Sequence, residues 1–364
     1  MSQVAVSLAS RLGEFVGAGR VLTDPASLAA YEVDGRRPSA ALLPGSVAEI
    51  AEILRFASAE RLAVVPVGGK THLHIGMPPH RYDLALDVSG LNRVLAYEPH
   101  DLTLGVEPGI TYAELDRSLR EKGQFLPLSP PFAERATLGG IVAAAADTPL
   151  RYAHGTARDF LLGVEFVTGE GTVSKSGGRV VKNVTGYDLH KLLIGSLGTL
   201  AVMTRLNFRT FPLPPSQKMF VAAFTEQSDA FAFCRAIMKS PLQPRIVDVL
   251  NPGAARLFAA RDAGFLIRCS WSSLLKQPGT RPSWSATPAI LPRCHKTHTP
   301  PNLSLSTQTN EIICSVAFAN SRQSRLTRRP RQQFSASPPF LPPCPRCSPK
   351  YASSPSATHS IAPF

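Results

Sequence analysis

The chain has 364 residues and a formal net charge of +13, and that charge is unevenly placed. Residues 276–364 hold 11 Lys and Arg against a single acidic residue, Glu311, whereas residues 1–275 hold 28 against 25, so the basic character belongs to the C-terminal segment and says little about the folded body. No segment reaches the ~20 apolar residues of a membrane span, and no basic stretch followed by an apolar run opens the chain, so we expect a cytoplasmic protein, peripheral at the inner membrane only through partners.

In chain order, Ser46 followed by Glu49 reads as a capping box ahead of the helical stripe Ile50, Ile53, Leu54 and Ala57. The apolar, β-branched run 62–67 then feeds directly into Gly68-Gly69, within the segment VVPVGGKTHLHIG at 64–76. Two adjacent glycines let the backbone turn through φ > 0 and aim successive N–H groups at one point. Such a nest suits phosphate; a plain hairpin turn fits the same residues. The Walker pattern is absent, because no Gly-Lys-Ser/Thr follows at the required spacing. Leu84-Leu86-Val88 and Leu102-Leu104-Val106 alternate with period two, as strands do. Thr111 with Glu114 repeats the capping device, with Leu115 and Leu119 inward and Gly123 ending the helix.

A second glycine cluster, ATLGGIVAAAA at 136–146, offers Thr137 as a helix N-cap and Gly139-Gly140 for close backbone approach. Its small residues bury well against a flat ring or against a neighbouring helix. The third cluster lies in GGRVVKNVTGYDLHKLLIGSLGTLAVMT at 177–204. Leu189, Leu192, Leu193 and Ser196 recur at helical spacing, and after Gly198 the residues Leu200, Val202, Leu206 and Phe208 alternate as a strand. Helix, tight corner and strand form a frame on which a cofactor can be held. The whole order of elements, with sheet and helix interleaved, predicts an α+β fold.

These three clusters, in this order and spacing, resemble the FAD-binding domain shared by vanillyl-alcohol oxidase and the para-cresol methylhydroxylase type flavoproteins. Within that superfamily, KNVTGYDLHKLLIGSLGTLAVMT most resembles the FAD-binding subunit of bacterial glycolate oxidase, and the likeness runs over about residues 31–215. The resemblance implies that Val67, Gly68, Gly69, Lys70, Thr71 and His72 form the pyrophosphate loop. It places Pro130, Thr137, Gly139, Gly140 and Ala143 on the flavin-facing segment, and Gly198, Thr199 and Val202 on the final glycine–strand element. Members that tether the flavin carry a histidine directly after the Gly-Gly pair. Lys70 stands there, so FAD is expected without a covalent bond. Ala201 replaces the glycine usual before the strand hydrophobe, which is tolerable if its φ is negative.

Other polar residues near the clusters have plainer readings. Lys70 either neutralises the diphosphate or is a solvated loop lysine. Lys182 and Asn183 read as anchors of the glycine corner. Tyr187 and Asp188 either orient one another or the flavin edge, or the tyrosine is simply buried with a satisfied hydroxyl. Arg158-Asp159 reads as a loop ion pair. No His, Cys, Asp or Glu group has convincing metal spacing, and Cys344-Pro-Arg-Cys347 lacks the second pair that zinc requires. Cys234 and Cys269 are isolated, as buried thiols of a reducing compartment are.

The resulting organisation is a two-lobed FAD-binding domain at 1–215, an incomplete α/β cap or substrate domain at 216–275, and a tail at 276–364. The cap portion reads as a strand over 219–224, a helix over 228–238 with the stripe Phe231, Cys234 and Met238, and a strand over 245–250; it is too short to complete its own core. The tail holds 15 of the 33 prolines and one of the 26 glycines, so disorder is expected there. Its abrupt start inside the cap suits out-of-frame translation better than a nucleic-acid or lipid-binding arm, since aromatics are sparse and no recognition motif is present. The resemblance implies oxidation of a 2-hydroxy acid to a 2-oxo acid by hydride transfer to FAD, beside a second flavoprotein and an iron–sulfur subunit. Two alternatives stay open: a non-catalytic FAD-binding relay or assembly subunit, and an oxidoreductase of another small hydroxy acid such as lactate. The catalytic base is unassigned, His154 and His190 being candidates only through nearness to the motifs.

Overall fold

The structure, a computed structural model, describes residues 3–179, 187–224, 226–257, 265–273 and 313–317, all within one unit, Met1–Phe318. In the first lobe, β1 (Val21–Leu22), β2 (Ala40–Leu42), β3 (Val64–Val67) and β4 (Leu84–Asp87) form a sheet in the order β1-β2-β4-β3. β2, β4 and β3 run parallel, and β1 is antiparallel at the edge. Parallel strands are covered on both faces, so every residue of β2 and β4 is buried. The helices Gln3–Val16 and Val47–Ala59 cover one face through Leu12, Ile50, Ile53 and Leu54, and Leu28, Tyr31 and Tyr82 cover the other.

The helix Val47–Ala59 starts where Ser46 predicts, with the serine hydroxyl accepting the Glu49 amide at 3.2 Å. The reciprocal half of the capping box is not made. The Glu49 carboxylate instead takes the Gly45 amide at 2.8 Å and both terminal guanidinium nitrogens of Arg20 at 2.8 and 3.0 Å, tying the helix start to the chain that enters β1.

The second lobe contains β5 (Val94–Glu98), β6 (Thr103–Val106), β7 (Gln124–Phe125), β8 (Leu161–Thr168), β9 (Val173–Gly177), β10 (Ala201–Arg209) and β11 (Phe211–Pro212). Five of these make an antiparallel sheet in the order β5-β6-β10-β8-β9, and β7 pairs with β11 as a short ribbon. Its core gathers Leu104, Leu115, Leu119, Leu138, Phe160 and Phe208 under the helices Tyr112–Glu121 and Leu138–Ala143. Val167 and Val202 belong instead to the first lobe's core, so the two sheets share a seam where β8 ends and β10 begins. The α+β order with two lobes is that expected from the sequence.

The third cluster folds differently in detail. Its helix is only Leu189–Leu193, burying His190 and Leu193 while Leu189 and Leu192 stay exposed. Leu200 is exposed too, and β10 begins at Ala201, with Ala201, Val202, Met203 and Thr204 all buried because both faces of the strand are covered.

Beyond the second lobe, β12 (Ser216–Phe224), β13 (Ile246–Leu250), β14 (Phe265–Ser273) and β15 (Ile313–Ala317) form a sheet in the order β13-β14-β12-β15. The helix Gln227–Lys239 packs on it by Ala230, Cys234 and Ile237, whereas Phe231 and Met238 are exposed. The buried stripe is thus displaced from the one predicted. Both sets fit helical spacing, and the small Ala230 lets the helix sit close to the sheet. Residues 313–317 run parallel to β12. The rest of the expected tail lies outside the described residues.

Candidate cofactor site

The loop after β3 is shaped by close approach. A β-carbon on Gly69 would lie 1.7 Å from the Arg135 carbonyl oxygen, and one on Gly68 would lie 2.4 Å from Thr137 Oγ1. Neither glycine has the positive φ that the sequence suggests. That conformation falls on Lys70, at φ 59°. The glycines are therefore required by the neighbouring chain 135–137 and not by the turn itself.

Thr137 joins the first two clusters. Its hydroxyl oxygen accepts the Gly140 amide at 3.4 Å, capping the helix Leu138–Ala143, and accepts the Gly69 amide at 3.2 Å. The Gly139 amide donates to the Pro108 carbonyl at 2.8 Å, with no room for a β-carbon between them.

The third cluster closes against both others. The amides of Gly195 and Leu197 donate to the carbonyls of Val142 and Ala143 at 3.1 and 2.8 Å. Leu197 and Gly198 are both left-handed, at φ 52° and 75°, and a β-carbon on Gly198 would meet Pro66 at 3.2 Å. Three turns distant in sequence thereby share one groove of about 350 Å³, walled by the loop 67–72, Gly140, Ala143, Leu197 and Thr199. A smaller hollow of about 70 Å³ lies among Gly68, Gly139, Gly140, Gly198 and Val202. A further hollow of about 410 Å³ opens on the other side of Pro66 and Gly198, towards the helix Val47–Ala59.

Of the residues predicted to hold cofactor, Val67, Gly68, Gly69, Lys70, Thr71, His72, Gly139, Gly140, Ala143, Gly198, Thr199 and Val202 all line these spaces. Pro130 and Thr137 are buried and do not; Thr137 braces the walls from behind. Sequence reasoning missed Pro66, Leu197, Ile75 and Met77, the last three being exposed apolar side chains at the groove. Ala201 has no positive φ, so its methyl group is accommodated as expected. The groove fits FAD by its character: apolar walls for a flat ring, and a loop whose amides at Lys70, Thr71 and His72 have no protein acceptor among the described residues.

Several polar residues behave otherwise than their sequence context suggests. Lys70 lines the groove and is partly exposed, but its ammonium is paired with a buried acid: its Nζ lies 3.1 Å from the Asp87 carboxylate and 4.0 Å from the Tyr31 ring centroid. Arg158 and Asp159 do not pair with each other. Asp159 accepts the Thr156 amide at 2.7 Å in a capping box, and Arg158 donates to the Lys191 carbonyl at 3.0 Å. Tyr187 is almost wholly exposed, and Asp188 pairs with Lys191 at 2.6 Å, which holds its carboxyl below the usual carboxylate range. Lys182 and Asn183 lie outside the described residues.

The histidines near the motifs are structural. His190 is buried, donates its amide to Ser176 Oγ at 3.1 Å and places Nδ1 at 3.1 Å from the same hydroxyl; burial lowers its pKa. His154 lies edge-on to Phe125 and Phe211, and its Nε2 accepts from Arg245 at 3.2 and 3.3 Å. Burial first, then Arg245 and Arg209, push its pKa down to about 4. Burial and nearby His74 also lower His72, whose Nδ1 is 2.9 Å from the Thr71 hydroxyl. Among the described residues no group of His, Cys, Asp and Glu is arranged to hold a metal ion.

The paired lobes with glycine corners meeting at one groove are the flavoprotein fold of the para-cresol methylhydroxylase type. The chain superposes on p-cresol methylhydroxylase with a TM-score of 0.62, over 75% of this chain and 61% of that one, at 17% identity. It superposes on alkyldihydroxyacetonephosphate synthase with a TM-score of 0.64, over 75% and 56%, at 19% identity. Residues 38–177 match the family described as FAD binding domain, and the chain carries an FAD-binding domain. It is 35% identical over 236 residues to a D-2-hydroxyglutarate dehydrogenase of Xanthomonas citri pv. viticola, covering 63% of this chain and 50% of that one. Over 214 residues it is 30% identical to glycolate oxidase subunit GlcD of Bacillus subtilis, covering 59% and 46%. Over 164 residues it is 35% identical to glycolate oxidase subunit GlcE of Escherichia coli, covering 45% and 46%. The chain spans about half the length of these relatives.

Proposed function

We propose that this chain is the FAD-holding part of an oxidoreductase that converts a 2-hydroxy acid into the corresponding 2-oxo acid. In this reading it is a glycolate-oxidase-like subunit, working in the cytoplasm or at the inner membrane surface beside a second flavoprotein and an iron–sulfur subunit. The observation that carries it is the meeting of Gly68, Gly139, Gly140 and Gly198 around one hollow. The substrate class comes from relatives named as D-2-hydroxyglutarate dehydrogenase and glycolate oxidase subunits.

The chemistry that FAD supplies when bound is two-electron acceptance from the carbon bearing the hydroxyl. This chain's own contribution is placement: the glycine corners bring main-chain groups close to the ligand, and Leu197, Ile75 and Met77 present apolar surface to it. With Lys70 in place of the tethering histidine, the cofactor is held without a covalent bond. Residues 1–215 form the FAD-binding domain, and 216–275 begin the cap that brings substrate groups.

A second reading, a non-catalytic FAD-binding relay or assembly subunit, is favoured by one observation. His154 and His190 are both committed to protein partners, which leaves neither as the base that removes a hydroxyl proton. Anaerobic addition of glycolate, D-lactate and D-2-hydroxyglutarate to the FAD-loaded chain separates the two. Bleaching of the flavin absorbance by any of these supports the oxidoreductase, while absorbance that changes only after a partner subunit is added supports the relay.

A further inference from the structure

We infer that Lys70 is a positioning residue that fastens the diphosphate loop from behind, and that its charge does not neutralise the ligand. The inference rests on the loop 67–72 being the FAD site. Lys70 is the loop's left-handed residue, a backbone conformation that a side chain disfavours and that persists only where its surroundings impose it. Its ammonium lies 3.1 Å from Asp87 Oδ2 and over the Tyr31 ring, and the Tyr31 hydroxyl donates to the same oxygen at 2.7 Å. The other Asp87 oxygen takes the Ser89 amide at 3.0 Å, and Asp87 itself is 2% exposed.

The topology explains why this acid is within reach. Val67 and Asp87 are register partners across β3 and β4, so the loop leaves β3 beside the carboxylate and Lys70 arcs back over it. One residue earlier, Gly69 is held from the opposite side by Thr137 and packed on the Arg135 carbonyl. Successive residues are thus pinned to different lobes. A loop already fixed binds without the cost of being ordered, and its amides can hold an anion without a counter-charge. With the ammonium paired to Asp87, the one other basic group among the groove's described lining residues is the His72 imidazole.

The test is titration of the full chain with FAD, followed by quenching of flavin fluorescence at about 0.05 and 0.5 M salt, a range over which exposed charge pairs are screened. Lys70→Met is expected to bind FAD about tenfold more weakly, with the salt dependence of the wild type unchanged. Asp87→Asn is expected to weaken binding as well, because it releases the lysine. A phosphate-contacting Lys70 gives the opposite results: Asp87→Asn binds more tightly, and Lys70→Met loses the salt dependence. Either of these, or unchanged affinity in Lys70→Met, overturns the inference. If Asp87→Asn does not fold, Tyr31→Leu replaces it, with weaker binding expected and unchanged binding contradicting. A wild-type chain that takes up no FAD overturns the cofactor reading itself, a result distinct from any of these.

Discussion

The Thr137 hydroxyl accepts the Gly69 amide at 3.2 Å while capping, through Gly140, the helix that starts at Leu138. One side chain thereby holds two glycine corners whose residues lie far apart in the chain. Thr137→Val removes the cap and leaves the Gly69 amide without its partner. We expect a loss of about 1–2 kcal/mol in denaturant unfolding, together with weakened FAD uptake. Thr137→Ser keeps the oxygen and should restore most of both.

Gly69 offers a sharper test of the packing. A β-carbon 1.7 Å from the Arg135 carbonyl oxygen cannot be relieved by a rotamer change, because both parties are backbone. Gly69→Ala should lower stability by on the order of 3 kcal/mol and abolish FAD retention on gel filtration. Gly19→Ala is the control, since nothing lies within 4 Å of its added methyl and its φ is ordinary. It should stay within about 0.5 kcal/mol of the wild type.

His154 makes stability depend on pH in a defined direction. Its pKa in the folded chain is about 4, below its ordinary value, because burial and Arg245 disfavour the imidazolium. Between that value and the unfolded value of about 6.5 the unfolded chain binds more protons. Stability is therefore fully present above the unfolded pKa and falls as pH drops towards 4. Thermal unfolding from pH 7 to pH 5 should show a smaller decline for His154→Phe, which cannot titrate, than for the wild type. An equal decline would assign the pH dependence elsewhere.

The helix Gln227–Lys239 provides a check on the packing beyond the second lobe. Ile237 is buried and Met238 exposed. Ile237→Ala should cost about 2–4 kcal/mol, and Met238→Ala less than about 0.5 kcal/mol, as read from denaturant midpoints. The reverse order would restore the stripe that spacing alone suggests.

How much of this was legible in the sequence depends on how far each interaction reaches. Ser46, Thr111 and Thr137 cap helices within three residues of themselves, and all three caps are present. The glycine pairs marked the walls of the groove because close backbone approach admits few other residues. The purpose of Gly68 and Gly69 was not legible, since the atoms that exclude a side chain belong to Arg135 and Thr137. Nor was the inward turn of Lys70, which requires the register of β3 on β4 and the placement of Tyr31. The exposure of Leu189, Leu192 and Leu200 defeated a periodicity argument, because spacing identifies a face without saying what covers it. Leu197 gave no signal at all: a left-handed leucine is set by the hydrogen bonds that the Gly195 amide and its own amide make to Val142 and Ala143.

Equilibrium binding of FAD to the purified chain bears most directly on the meeting of the three glycine corners. About one FAD per chain is expected, released in full by acid denaturation as a non-covalent ligand, and lost on substitution of Gly69, Gly140 or Gly198 by valine. A wild-type chain with no flavin spectrum and no uptake, or valine variants that bind FAD as the wild type does, would contradict it.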